Sequence, residues 1–170
     1  VARIIDQLKA MAIEAVISGP CEPCLSTAQA LSQALSVKHK ESDELANFSY
    51  GLWQGLSIDD VRRKFPRVFK QWEDAPETVC PPEGETISEV LERIRDALRK
   101  PLRKYDMFAV VASEPLASLI SCSLRGVEPD DVCSSLFACC DDHLVDIIRT
   151  DLASDSATVP QIAVSLPAVL

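Results

Sequence analysis

VISGPCEPCLSTAQAL (Val16–Leu31) carries the reading of the fold. Ala15, Val16 and Ile17 form a short apolar, β-branched run of the kind that fills a strand buried on both faces. It stops at Ser18, Gly19 and Pro20, and Leu25, Ala28, Leu31 and Leu35 then recur at helical spacing to about Ser36. A buried strand therefore runs directly into a helix. Upstream, Arg3–Ile13 places Ile4, Ile5, Leu8, Met11 and Ala12 on one helical face, so the first unit reads helix, strand, helix.

The same alternation continues along the chain. Val37–Gly55 is mostly polar, with Phe48, Tyr50 and Trp53 spaced through it, and reads as a structured loop. Ser57 caps a short helix, and Pro66 opens another that carries Val68, Phe69 and Trp72. Thr86 with Glu89 forms a capping box for a helix over Ile87–Arg99, which Pro101 should end or kink. Met107–Ala112 is the clearest buried strand, and Leu116–Leu124 is a helix closed by Gly126. Asp130–Cys139 suggests another short helix and Leu144–Arg149 a strand. Val159–Leu170, apolar but broken by Pro160 and Pro167, fits an edge strand or a docked tail. Helices alternating with short buried strands predict one α/β domain over residues 1–170: a three-layer α/β/α sandwich with a mostly parallel sheet. Ligand crevices in such sheets lie at the carboxyl ends of the strands, which directs attention to the loops after Ile17 and Val111 and near Cys80.

Composition excludes several classes. The 170 residues carry 17 Lys and Arg against 26 Asp and Glu, a net charge of −9 that repels polyanions. The one basic stretch, Arg93, Arg95, Arg99, Lys100, Arg103 and Lys104, is interleaved with Glu89, Glu92 and Asp96 and reads as a solvated helix face, so no nucleic-acid partner is expected. No apolar run approaches membrane-spanning length, and the first residues lack the order of a signal peptide, so a cytoplasmic protein is expected. Seven cysteines, an odd number in a domain of this size, fit reduced thiols rather than a disulfide framework. His39 and His143 read as solvated surface histidines.

Four blocks, in order, resemble the histidine phosphatase superfamily, the phosphoglycerate mutase-like group of mutases and phosphatases. VISGPCEPCLSTAQAL is similar to the family's strand, Ser-Pro turn and Thr-Ala helix. LANFSYGLWQGLSIDDVRRKFPRVFKQW (Leu45–Trp72) resembles its Gly-x-Trp-x-Gly segment. PPEGETISEVLERIRDAL (Pro81–Leu98) resembles its Pro-Pro-Gly-Gly-Glu-Ser loop and helix, and MFAVVASEPLASLISCSLRG (Met107–Gly126) its second-histidine strand. The resemblance spans about Ala2–Gly126, leaving 127–170 as a C-terminal strand and apolar tail.

The resemblance implies a histidine nucleophile in an Arg-His-Gly motif, phosphate-holding arginines, a second histidine and a proton-donating glutamate. No Arg-His-Gly occurs in the sequence, which begins one helix after the family's first, central strand. Carried over position by position, the phosphate-binding arginine falls on Pro23, the glutamate on Asn47, the second histidine on Ser113 and the glycine after it on Glu114. The vestigial pocket comprises Ser18, Pro20, Pro23, Asn47, Glu83, Gly84, Ser113 and Glu114, with no catalytic residue, metal or cofactor assigned. The expectation is a pseudoenzyme that acts as a binding or interaction module, with the tail Ile162–Leu170 pairing with a second copy or another protein, or else covering the protein's own sheet. Two other readings stay open. One is a cysteine-based metal or redox site from Cys21, Cys24, Cys80, Cys139 and Cys140, which the family fold would draw towards one crevice. The other is an enzyme with a rebuilt site, either still a phosphatase or mutase, or using for instance Glu114, Asp141, Asp142 and His143 on a cationic or neutral substrate.

Overall fold

In the computed structural model, residues 2–74, 80–126, 146–150 and 159–166 are described. Helix α1 (Ala2–Lys9) precedes strand β1 (Ala15–Ser18), α2 (Cys24–Leu35) and β2 (Lys38–Glu41). There follow α3 (Ile58–Lys64), α4 (Pro66–Asp74), α5 (Ile87–Lys104), β3 (Phe108–Ser113), α6 (Leu116–Arg125), β4 (Asp146–Thr150) and β5 (Val159–Leu166). The five strands form one sheet in the order β2-β1-β3-β5-β4, parallel throughout except for β4 against β5.

Strand pleating explains the three layers. Val16, Ala109 and Val111 point to one face, where they pack against Ile4 and Leu8 of α1 and Ala28 and Leu31 of α2. The alternate residues Ala15, Ile17, Phe108, Val110 and Ala112 point to the other and meet Ile94 and Leu98 of α5 and Leu119 and Ile120 of α6. Strands β1 and β3 are buried at every position, as their near-continuous apolar runs predict. The second core also takes in an aromatic cluster, in which Trp53 stacks on Trp72 with ring centroids 4.6 Å apart and Tyr50 stacks on the same Trp72 at 5.9 Å.

The punctuation read from the sequence is present. Ser57 Oγ accepts the Asp60 N–H at 3.2 Å, and Thr86 and Glu89 form the reciprocal capping box of α5. Gly126 closes α6 in the left-handed conformation, at φ 66°.

Five expectations differ. Helix α1 ends at Lys9, so Met11 and Ala12 sit in a turn where Met11 N–H bonds Leu8 O and Ala12 is exposed. The Val37–Gly55 loop contains β2, a strand whose sequence Lys-His-Lys-Glu has no apolar signal because it pairs only with β1 at the sheet's edge. His39 is consequently half-buried rather than solvated, with Nε2 2.9 Å from Ser18 Oγ. Helix α5 continues through Pro101 to Lys104; Pro101 is buried, so packing offsets the backbone hydrogen bond it cannot donate. Finally, β5 is an interior strand rather than an edge: Ile162–Leu166 pairs in parallel with β3, and Val159–Ala163 pairs antiparallel with β4. Pro160 lies before the first residue that pairs with β3, so its missing N–H costs no bond on that side; on the other it stands opposite Arg149 of β4. The Asp130–Cys139 helix and the last four residues of the tail lie outside the described residues.

Candidate functional site

The carboxyl ends of β1 and β3 diverge into a cleft of about 390 Å³, including its open mouth. Gly19, Cys21, Glu22, Pro23, Cys24, Leu45, Asn47, Ser113 and Leu116 line it. The β1–α2 turn supplies one wall. Within that turn the Leu25 N–H bonds Cys21 O and the Thr27 N–H bonds Pro23 O, both at 3.1 Å, so the helical winding begins before Cys24. Gly19 is required at the base, because a Cβ there would run into the carbonyl oxygen of Leu45.

Ser113, the last residue of β3, is buried and lies 3.0 Å from Cys24 Sγ through its Oγ. Burial pushes the Cys24 thiol upward in pKa, more than the Ser113 hydrogen bond lowers it, and Cys21 pushes it further up. Cys21 itself is exposed.

The facing wall is Leu45–Asn47. Asn47 Nδ2 donates to Glu114 O at 3.2 Å, and its Oδ1 accepts the Phe48 N–H at 2.9 Å. Behind it, Arg93 of α5 gathers the segment. Its guanidinium donates to Glu44 O at 2.6 Å, Ala46 O at 2.7 Å and Asn47 O at 3.3 Å, and pairs with Glu85 at 2.9 Å. The reading of Arg93 as part of a solvated face is corrected here: its side chain is only 15% exposed. Glu85 in turn accepts the Ser49 N–H at 2.9 Å. The Glu114 carboxylate binds Ser118 N–H and Oγ at the start of α6, and its charge adds to the burial that pushes Tyr50 up to about 12.

Of the residues named from the sequence, the cleft gathers Pro23, Asn47, Ser113, Cys21 and Cys24. Glu114 stands beside it through its carbonyl. Ser18 lies beneath, buried, with its Oγ donating to Gly19 O. Pro20, Glu83 and Gly84 are not among the described lining residues. Glu83 and Gly84 instead pack under Gly51, where the Gly84 N–H bonds Pro81 O and the Leu52 N–H bonds Pro82 O. Cys80 is turned into its own loop, its thiol donating to Gly84 O at 3.3 Å, so the described structure does not bring it to Cys21 and Cys24. Cys139, Cys140, Asp141, Asp142 and His143 lie outside the described residues. Glu22, Leu45 and Leu116 were not singled out from the sequence, although Glu22, between the two cysteines of a strand–helix turn, could have been.

Comparison with known proteins agrees with this geometry. A profile of the histidine phosphatase superfamily, branch 1, matches residues 1–147. Phosphoserine phosphatase 1 of Hydrogenobacter thermophilus is 23% identical over 128 residues, covering 74% of this chain and 60% of that protein. A bifunctional protein of Mycobacterium tuberculosis is 31% identical over 84 residues, 49% of this chain but only 22% of the relative. This chain thus spans less than two thirds of either, 60% of the first and 22% of the second. Among solved structures, YhfR of Bacillus stearothermophilus superposes with a TM-score of 0.68 at 19% identity, over 80% of this chain and 66% of that one. A mycobacterial glucosyl-3-phosphoglycerate phosphatase gives 0.68 at 18%, over 78% and 66%. The phosphoglycerate mutase-like architecture and the profile match together mean that this chain belongs to the histidine phosphatase superfamily.

Proposed function

We propose that this chain is a histidine phosphatase-fold pseudoenzyme, a single domain whose cleft serves binding or interaction rather than phosphoryl transfer. The observation that carries the reading is the polarity of the cleft. Its described lining holds two thiols, a carboxylate, an amide and a hydroxyl, and no arginine, lysine or histidine. Phosphoryl transfer needs positive charge or aimed donors where the phosphoryl oxygens gather charge, and at short range a carboxylate opposes a phosphate dianion. Pro23 has no side-chain donor, Asn47 cannot deliver a carboxylic proton and Ser113 is engaged with Cys24.

The competing reading, a phosphatase or mutase with a rebuilt site, draws on the phosphatase names of the similar proteins. Calorimetric titration with phosphate and vanadate, followed by a nitrophenyl phosphate assay across pH on the same sample, separates the two. Neither binding nor turnover is expected. Turnover that vanadate inhibits would overturn the pseudoenzyme reading. No described helix is long and apolar enough to cross a membrane; a cytoplasmic location and a protein partner, including a second copy, are parts of the same proposal. Light scattering that finds a strict monomer at high concentration would remove self-association.

A further inference from the structure

We infer that Cys21 and Cys24 form a dithiol–disulfide couple at the mouth of the cleft, which exchanges with low-molecular-weight disulfides. The backbone brings the two cysteines to one place. The Leu25 N–H bonds Cys21 O at 3.1 Å, which draws the turn back onto the start of α2, and Cys21 and Cys24 both line the cleft. A disulfide between them needs Cβ atoms about 3.5–4.5 Å apart.

The two thiols also differ in the way such a couple requires. Cys21 is exposed and can be reached by a disulfide in solution, whereas Cys24 is 5% exposed and can be reached only from the cleft. Cys21 contributes to the electrostatics of Cys24, as neighbouring sulfurs do. Ser113 Oγ, at 3.0 Å, holds the Cys24 sulfur in its resting position. Cys80, also exposed but held in its own loop, has no described cysteine beside it and serves as an internal comparison.

The chemistry balances. The Cys21 thiolate attacks one sulfur of the external disulfide, forming a Cys21 mixed disulfide and releasing one thiolate, which takes a proton from solvent. The Cys24 thiol then loses its proton to solvent, and its sulfur leaves Ser113 and attacks that of Cys21. The Cys21–Cys24 bond forms and the second thiolate departs. The protein has lost two electrons and two protons, and the external disulfide has become two thiols. An external dithiol reverses both steps.

The test is exposure of the full chain to oxidised glutathione, with acid quenching, alkylation and peptide mapping over time. The expected product is a peptide with Cys21 joined to Cys24, lighter by two hydrogen atoms and restored by dithiothreitol, while Cys80 stops at a mixed disulfide or remains a thiol. In Cys24→Ser the glutathione adduct on Cys21 should persist. In Cys21→Ser, Cys24 should be modified at least about tenfold more slowly than Cys21 is in the wild type, because it is buried. A wild-type Cys21 adduct that never resolves, or Cys21 bonded to any other cysteine, would overturn the inference. None of these outcomes depends on whether the cleft binds an anion, so the couple and the pseudoenzyme reading can fail separately.

Discussion

The two walls of the cleft are built differently. The Leu45–Asn47 wall is held from behind: the guanidinium of Arg93 ties the Glu44, Ala46 and Asn47 carbonyl oxygens to Glu85, and Glu85 ties on the Ser49 backbone. Gly51, at φ 52°, then seats that segment on the Pro82–Gly84 loop. The Gly19–Cys24 wall is a local turn, fixed by its own backbone, by Glu22 accepting the Ser26 N–H and hydroxyl four residues on, and by one sulfur–hydroxyl contact to Ser113. A network closed on itself needs no ligand to stay in place. The first wall therefore keeps its shape without a ligand, while the second leaves its outward side chains open to other chemistry.

If that contrast is right, substitutions behind the first wall cost far more than substitutions of side chains in the second, with Gly19, packed against Leu45 O, set apart. The largest loss is expected for Gly51→Ala. The residue occupies the left-handed region, and an added Cβ would strike Pro82 O and the backbone of Gly84, which cannot move aside cheaply. Strain and overpacking together should cost about 4 kcal/mol, read as a drop in the urea midpoint with an unchanged slope. Next, Arg93→Met breaks the Glu85 pair and strands the Glu44, Ala46 and Asn47 carbonyls. About 2–3 kcal/mol should be lost, somewhat under the figure for a fully buried pair because Arg93 is 15% and Glu85 27% exposed. An Arg93→Met protein as stable as the wild type would show that the wall is held by packing alone.

Tyr50 sharpens the comparison through pH. Its folded value is raised from 10.0 to about 12, first by burial and then by the Glu114 charge, so the native state keeps a proton that the unfolded chain gives up. Stability from this group is fully present below pH 10 and should fall as pH rises from there towards about 12. Tyr50→Phe should flatten that alkaline decline in guanidinium melts recorded between those pH values. The smallest effect belongs to the local turn: Cys21→Ser, at an exposed position, should change stability by no more than about 0.5 kcal/mol in the same assay. A large loss there would mean that the turn is as interlocked as its neighbour.

Local signals were enough for much of this molecule. The apolar runs of β1 and β3, the helical stripes of α2, α5 and α6, the Ser57 cap, the Thr86–Glu89 capping box and the Gly126 stop each depend on neighbours within a few residues, and so they are legible along the chain. The family resemblance was legible for the same reason, as four local blocks in order. Which side chains would meet at the cleft was only partly so: Pro23, Asn47, Ser113, Cys21 and Cys24 could be named, but not that Cys24 would bond Ser113, 89 positions away.

What tertiary structure alone decided are the features whose stabilising partners are distant in sequence. Lys38–Glu41 is a strand because β1 offers it hydrogen bonds, not because its side chains prefer one. Pro101 stays helical because it is buried. Arg93 is structural because the carbonyls it binds lie 46 to 49 residues away. Val159–Leu166 is interior because β3 and β4 leave a place between them. Sequence determines a preference wherever the competing states differ in local burial or capping; where they differ in a long-range hydrogen bond, the fold has to form before the choice exists.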